Sequence, residues 1–131
     1  MRKIVLIFIT TFFLANSIHA QQKATWKEME DFHSVMATTF HPAEEGNLKP
    51  IKTRSGEMLD KATAWKNADA PEGYNKKAVK SNLKKLVKGA KEIDKMVKEN
   101  AADTELVARL SKLHDIFHEI MEKCQDEGHE H

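Results

Sequence analysis

The chain has 131 residues, of which 31% are charged and 40% apolar, with only 5 Gly and 3 Pro. This composition excludes a disordered tail and a turn-rich β-sandwich, and it is typical of one compact, mostly helical domain. The net charge of +1 becomes −1 if the first 20 residues are removed with Arg2 and Lys3, so the composition also excludes a strongly basic nucleic-acid-binding protein.

The first 20 residues predict a secretory signal peptide. Arg2 and Lys3 form a basic start, residues 4–14 are an apolar run too short to span a bilayer comfortably, and Ala20 is a small residue before the expected cut at Gln21. No cysteine stands at the cut, and no later segment is apolar enough to insert into a membrane. We therefore expect an exported product, periplasmic or secreted.

Four helices are predicted between residues 21 and 124, because apolar residues recur there every three or four places. Helix 1 is expected over 24–40, helix 2 from about Pro50, helix 3 over 75–99, and helix 4 from Asp103 as its N-cap. The connections at 41–47, 67–74 and 99–103 are short, which favours antiparallel neighbours. The fold class is therefore an all-α, up-down-up-down antiparallel four-helix bundle over 21–124.

The buried stripes of the two terminal helices decide the functional interpretation. Helix 4 has a regular stripe flanked by a second row seven residues apart, at Val107, His114 and Met121. Two stripes are predicted: Trp26, Met29, His33, Met36 and Phe40 in helix 1, and Leu106, Leu110, Leu113, Phe117, Ile120 and Cys124 in helix 4.

Cys124 is the single cysteine, which excludes an internal disulfide framework and a cysteine-based zinc or iron–sulfur site. We expect it to be a small buried apolar residue; an intermolecular disulfide, and with it a homodimer, is the alternative. Residues 125–131 are predicted to be a flexible polar tail, in which His129 and His131 add loose metal affinity or none.

Three histidines are the candidate metal ligands. His114 and His118 lie four residues apart, so their rings can face one ion from the same side of a helix. We expect helices 1 and 4 to pack antiparallel, with Ala24 level with Gln125. The numbers of two residues that face each other then add to about 149. His33 therefore faces the stretch between His114 and His118. Three imidazoles suit Zn or Cu, with Fe as a further possibility, and leave a coordination position open.

Each of these features also has a purely structural interpretation. A histidine in a helix stripe is often a hydrogen-bonded core residue, and His118 falls near the edge of its stripe, where an exposed histidine costs nothing. Nearby methionines are ordinary core fillers, although a thioether ligand would favour copper. His41, beside Pro42 at the end of helix 1, is considered for a separate loop site.

Met29 lies early in helix 1. His118 lies near the end of helix 4, in the dipeptide Phe117-His118. In this respect the chain resembles the cytochrome c-prime type bundles, and especially their relatives that hold haem b without covalent links. The resemblance implies an electron-transfer protein with Met29 and His118 as axial ligands. The chain departs from the pattern in having no Cys-x-x-Cys-His motif and in carrying the extra pair His33 and His114.

The leading hypothesis from the sequence is an exported carrier, buffer or sensor that binds a transition-metal ion through His33, His114 and His118. The alternatives are the haem b protein and a metal-free helical module that binds another protein. No carboxylate base or nucleophile is positioned beside the histidines by the sequence, so no enzymatic activity is expected.

Helix 3 has a lysine-rich face that an acidic partner protein would fit, although an exposed charged face often serves only solubility. Its seven lysines are Lys76, Lys77, Lys80, Lys84, Lys85, Lys88 and Lys91.

Overall fold

The structure, a computed structural model, describes residues 26–124, so the predicted signal peptide (1–20) and polar tail (125–131) lie outside the described residues. The four helices are α1 (Lys27–Glu44), α2 (Lys49–Asn67), α3 (Lys76–Lys98) and α4 (Asp103–Lys123). Each helix packs against the next, and α4 closes against α1. The predicted antiparallel four-helix bundle is confirmed. Within the described range, none of the helices is both long and apolar enough to cross a membrane.

The end of α1 differs from the sequence prediction, which placed it at Phe40. The helix continues through Pro42 to Glu44, although Pro42 has no N–H group to donate to the preceding turn. The chain turns at Gly46, whose φ of +89° is in the left-handed region that glycine adopts without strain. The N–H groups of Gly46 and Asn47 donate to the carbonyl oxygens of Ala43 and Pro42 and close the helix end.

The start of α4 also differs from the prediction. Ala102 rather than Asp103 occupies the N-cap position, and it provides no side-chain cap. The Asp103 carboxylate instead accepts a hydrogen bond from the Lys52 ammonium of α2 at 2.7 Å. By contrast, α3 begins as expected with Asn75, whose side-chain oxygen accepts from the Ala78 N–H at 3.1 Å.

The predicted stripe of α4 is buried throughout, and that of α1 is buried at Trp26, Met36 and Phe40 but not at His33. Phe32 is fully buried, Met29 is half-buried and His33 is exposed. Because Phe32 and His33 are adjacent, either one fits a stripe with helical spacing. Phe32 is the buried one, because burying its larger apolar ring is more favourable than burying an imidazole. The predicted register between α1 and α4 is nevertheless correct, since the facing rings of Phe32 and Phe117 have centroids 5.8 Å apart.

One buried charge links α2 to α3. Asp94 is only 9% exposed, and its carboxylate accepts hydrogen bonds from the Ser55 hydroxyl at 2.9 Å and the Lys98 ammonium at 2.8 Å. These two donors stabilise the ionised form and hold the pKa of Asp94 below its usual value, with Lys98 contributing most and burial opposing the shift. The pairing satisfies a carboxylate that would otherwise be costly to bury.

Cys124 closes the core at the end of α4, as expected for a small apolar residue. The free thiol is 1% exposed, and the Asn82 side-chain amide donates to its sulfur at 3.4 Å. The Cys124 carbonyl accepts from the Asn75 N–H at 2.7 Å, which joins the end of α4 to the start of α3. The alternative of an intermolecular disulfide stays a prediction that would require this thiol to leave the core.

Candidate functional site

The histidine pair of α4 is the candidate site. His114 and His118 lie one turn apart, and their Nε2 atoms are 3.1 Å from each other, with ring centroids 4.4 Å apart at an interplanar angle of 71°. Both residues are half-buried and lie on the side of α4 that faces α1. This seam is the least closely packed of the four between neighbouring helices. The structure therefore brings together the two histidines whose spacing predicted that they would converge.

Each ring of the pair is positioned by a neighbour. The His114 ring stacks on Phe40 of α1, with centroids 4.3 Å apart and planes within 21° of parallel. The Nδ1 atom of His118 lies 3.4 Å from a carboxylate oxygen of Glu122, one turn further along α4. A carboxylate beside Nδ1 favours a proton on that nitrogen and leaves the lone pair on Nε2. Glu122 is a functional neighbour that the sequence analysis missed, although its spacing from His118 signals the contact.

His33 lies on the same seam but is not part of the pair. Its ring is exposed and stacks on Phe117, with centroids 4.9 Å apart and an interplanar angle of 14°. Across residues 26–124, no group of three or more His, Cys, Asp or Glu side chains is arranged to hold a metal ion. The predicted centre of His33, His114 and His118 is therefore not preformed.

The surroundings of His114 disfavour the protonated form of its ring. Burial is the main cause that lowers the pKa of His114, and repulsion from His118 and His41 adds to the effect, while Asp115 and Glu44 oppose it. A neutral imidazole has a free lone pair, which is the form that binds a metal. His41, considered above for a separate site at the end of helix 1, lies in the last turn of α1, close enough to affect His114.

Charge is divided unevenly between the two sides of the bundle. Helices α1 and α4 together carry nine Asp or Glu and four Lys or Arg, whereas α2 and α3 carry four acidic and fourteen basic residues. The histidine pair thus lies on the acidic side of the protein. On α2, the Glu57 carboxylate is bound by the Arg54 guanidinium at 2.8 Å.

The packing does not fit a haem between Met29 and His118. The interior at this level of α1 and α4 is filled by Phe32 and Phe117, both fully buried. A haem would have to displace these rings, and the Nε2 of His118 would have to leave its 3.1 Å contact with His114.

Comparison with protein families, with curated proteins and with solved structures found no significant match to this chain. Function is therefore inferred from the residues of the site.

Proposed function

We propose that this protein binds a transition-metal ion through the Nε2 atoms of His114 and His118, with His33 as the third ligand, and that it serves as an exported carrier, buffer or sensor of that ion. The single observation that carries the proposal is the 3.1 Å separation of the two Nε2 atoms. The acidic character of α1 and α4 supports it, because a negative surface raises the local concentration of cations.

The separation matches a chelate. Metal–nitrogen bonds of about 2.0–2.1 Å to two atoms 3.1 Å apart enclose an angle of about 95–102° at the metal. This angle lies between the square-planar and tetrahedral values, so the pair suits Cu(II) and Zn(II) without a change in the helix backbone. Copper should bind more tightly than zinc, following the general order of affinities for nitrogen ligands.

The same two nitrogens fit a hydrogen bond when no ion is bound. One neutral ring then donates its Nε2–H to the lone pair of the other, and the proton next to Glu122 makes His118 the acceptor. Binding of an ion requires the proton of His114 to move from Nε2 to Nδ1, so that both lone pairs face the metal. A metal at this position replaces one internal hydrogen bond by two coordinate bonds.

The remaining ligands come from the α1 side or from water. His33 is exposed, so its ring can rotate away from Phe117 at the cost of one stacking contact, which is worth about 0.5–1.5 kcal/mol. A site with two fixed ligands and one mobile ligand exchanges its ion more readily than a closed structural site. This property favours transport, buffering or sensing.

The test is a competition titration of Cu(II) and Zn(II) against a chelator, with protein purified without a His tag and its variants His33→Ala, His114→Ala and His118→Ala. We expect one ion per chain in the wild type and an affinity loss of at least about tenfold for each of the two α4 variants. His41→Ala is the control for a change in the electrostatics of His114 alone, since it removes an exposed imidazole that is not a proposed ligand. Wild-type affinity in both His114→Ala and His118→Ala would contradict the proposal, and wild-type affinity in His33→Ala alone would remove His33 from the site.

A further inference from the structure

A groove of about 210 Å³ lies between α3 and α4, away from the histidine seam. Its floor is apolar and is formed by Gly89, Leu113 and Ile116. Gly89 lies close to Leu113, since a Cβ at this position would be 2.9 Å from the Cδ1 atom of Leu113. The two helices therefore approach closely at this point and leave an open channel above the contact.

The rim of the groove is strongly positive. Lys85, Lys88 and Lys112 line it, and none of them has a carboxylate oxygen within 4.0 Å among residues 26–124. The carboxylate in the lining is that of Glu92, which accepts from the Arg109 guanidinium at 2.9 Å. This ion pair occupies one end of the groove and leaves three ammonium groups around the apolar floor.

We propose that this groove binds a medium-chain aliphatic carboxylate, with its carboxylate between Lys88 and Lys112 and its hydrocarbon chain over Gly89 and Ile116. A carboxylate satisfies the unpaired ammonium groups, while the chain covers a floor that is otherwise open to water. The groove has a volume of about 210 Å³, which leaves room for an aliphatic chain on the apolar floor. The proposal does not depend on metal binding, since the groove and the histidine pair share no residue.

The test is a titration of the ¹⁵N-labelled full chain with octanoate, followed by amide NMR. We expect saturable shifts centred on Gly89, Leu113 and Ile116, with a Kd on the order of 1 mM for a ligand of this size. The double variant Lys88→Gln/Lys112→Gln should raise the Kd at least about tenfold. All of these lysines are exposed, so the variants should fold normally.

The matched control is Lys77→Gln/Lys84→Gln, which removes the same charge from exposed positions of α3 outside the groove. Its Kd should stay within about twofold of the wild-type value, because exposed distant charges are screened by salt. An equal loss in both double variants would overturn the proposal and indicate general attraction of anions to α3. Acetate shifts as strong as those of octanoate would also overturn it, as would the absence of saturation.

Discussion

The buried contact between Ser55 and Asp94 gives a prediction with a defined size. Ser55→Ala removes the hydroxyl that donates to Asp94 at 2.9 Å and leaves one oxygen of a carboxylate that is 9% exposed without that donor. An unsatisfied buried acceptor costs about 1–3 kcal/mol, and the higher helix propensity of alanine returns up to about 0.5 kcal/mol. Since Lys98 still binds the other oxygen, we expect a net loss of about 1–2 kcal/mol.

The effect should also depend on pH. Ser55 and Lys98 lower the pKa of Asp94, so their stabilisation is fully present above the unfolded value of 3.8 and is lost as the pH falls through the folded pKa. Without Ser55 the pKa of Asp94 is lowered less, so acid removes less stability from the variant than from the wild type. The difference in free energy of unfolding between Ser55→Ala and the wild type should therefore become smaller in acid.

The assay is urea unfolding followed by far-UV circular dichroism, at neutral pH and at a pH below 3.8. Ser81→Ala is the matched control, because it makes the same substitution at an exposed position of α3 and should change the free energy of unfolding by less than about 0.5 kcal/mol. The reasoning fails if Ser55→Ala unfolds at the same urea concentration as the wild type at neutral pH. It also fails if the loss in free energy of unfolding is as large in acid as at neutral pH.

Three further substitutions test the packing and the helix ends. Gly56→Ala should raise the free energy of unfolding by about 0.8–1 kcal/mol, because the new Cβ would lie 3.9 Å from the nearest atom of Asp94 and alanine favours the helix; a loss in thermal unfolding would contradict this. Gly46→Ala should lower it by about 1–2 kcal/mol, since the φ of +89° strains any L side chain, and an unchanged melting temperature would refute the role of this helix end. Phe32→Ala should cost about 3–5 kcal/mol in urea unfolding, as expected for a ring with no exposed surface, whereas a loss below 1 kcal/mol would place it outside the core.

The regularity of the apolar pattern decided how much of the fold could be predicted. In α4 the apolar residues that recur from Leu106 to Cys124 form a stripe that is buried throughout, so the pattern identifies the buried face. In α1, Phe32 and His33 are adjacent, and periodicity alone does not say which one faces inward. The end of α1 was misplaced because Pro42 was taken as a break, although a proline in the last turn removes only one hydrogen bond and Gly46 provides the stop.

The candidate site was predictable where it depends on one helix. Four-residue spacing fixes the approach of His114 to His118, and the same spacing relates Glu122 to His118. The position of His33 depends on the register between two helices, which was correct, and on the orientation of one exposed ring, which the sequence does not determine. The burial of Asp94 was not foreseen because its partner Ser55 belongs to another helix.

The most direct measurement of metal binding is the ¹⁵N spectrum of the histidine side chains during addition of Zn(II). If the ion binds between the two rings, the Nε2 signals of His114 and His118 should shift together and stop changing at one equivalent, while those of the exposed His41 stay in place. Zinc that binds without shifting either of these two Nε2 signals would contradict the proposed site.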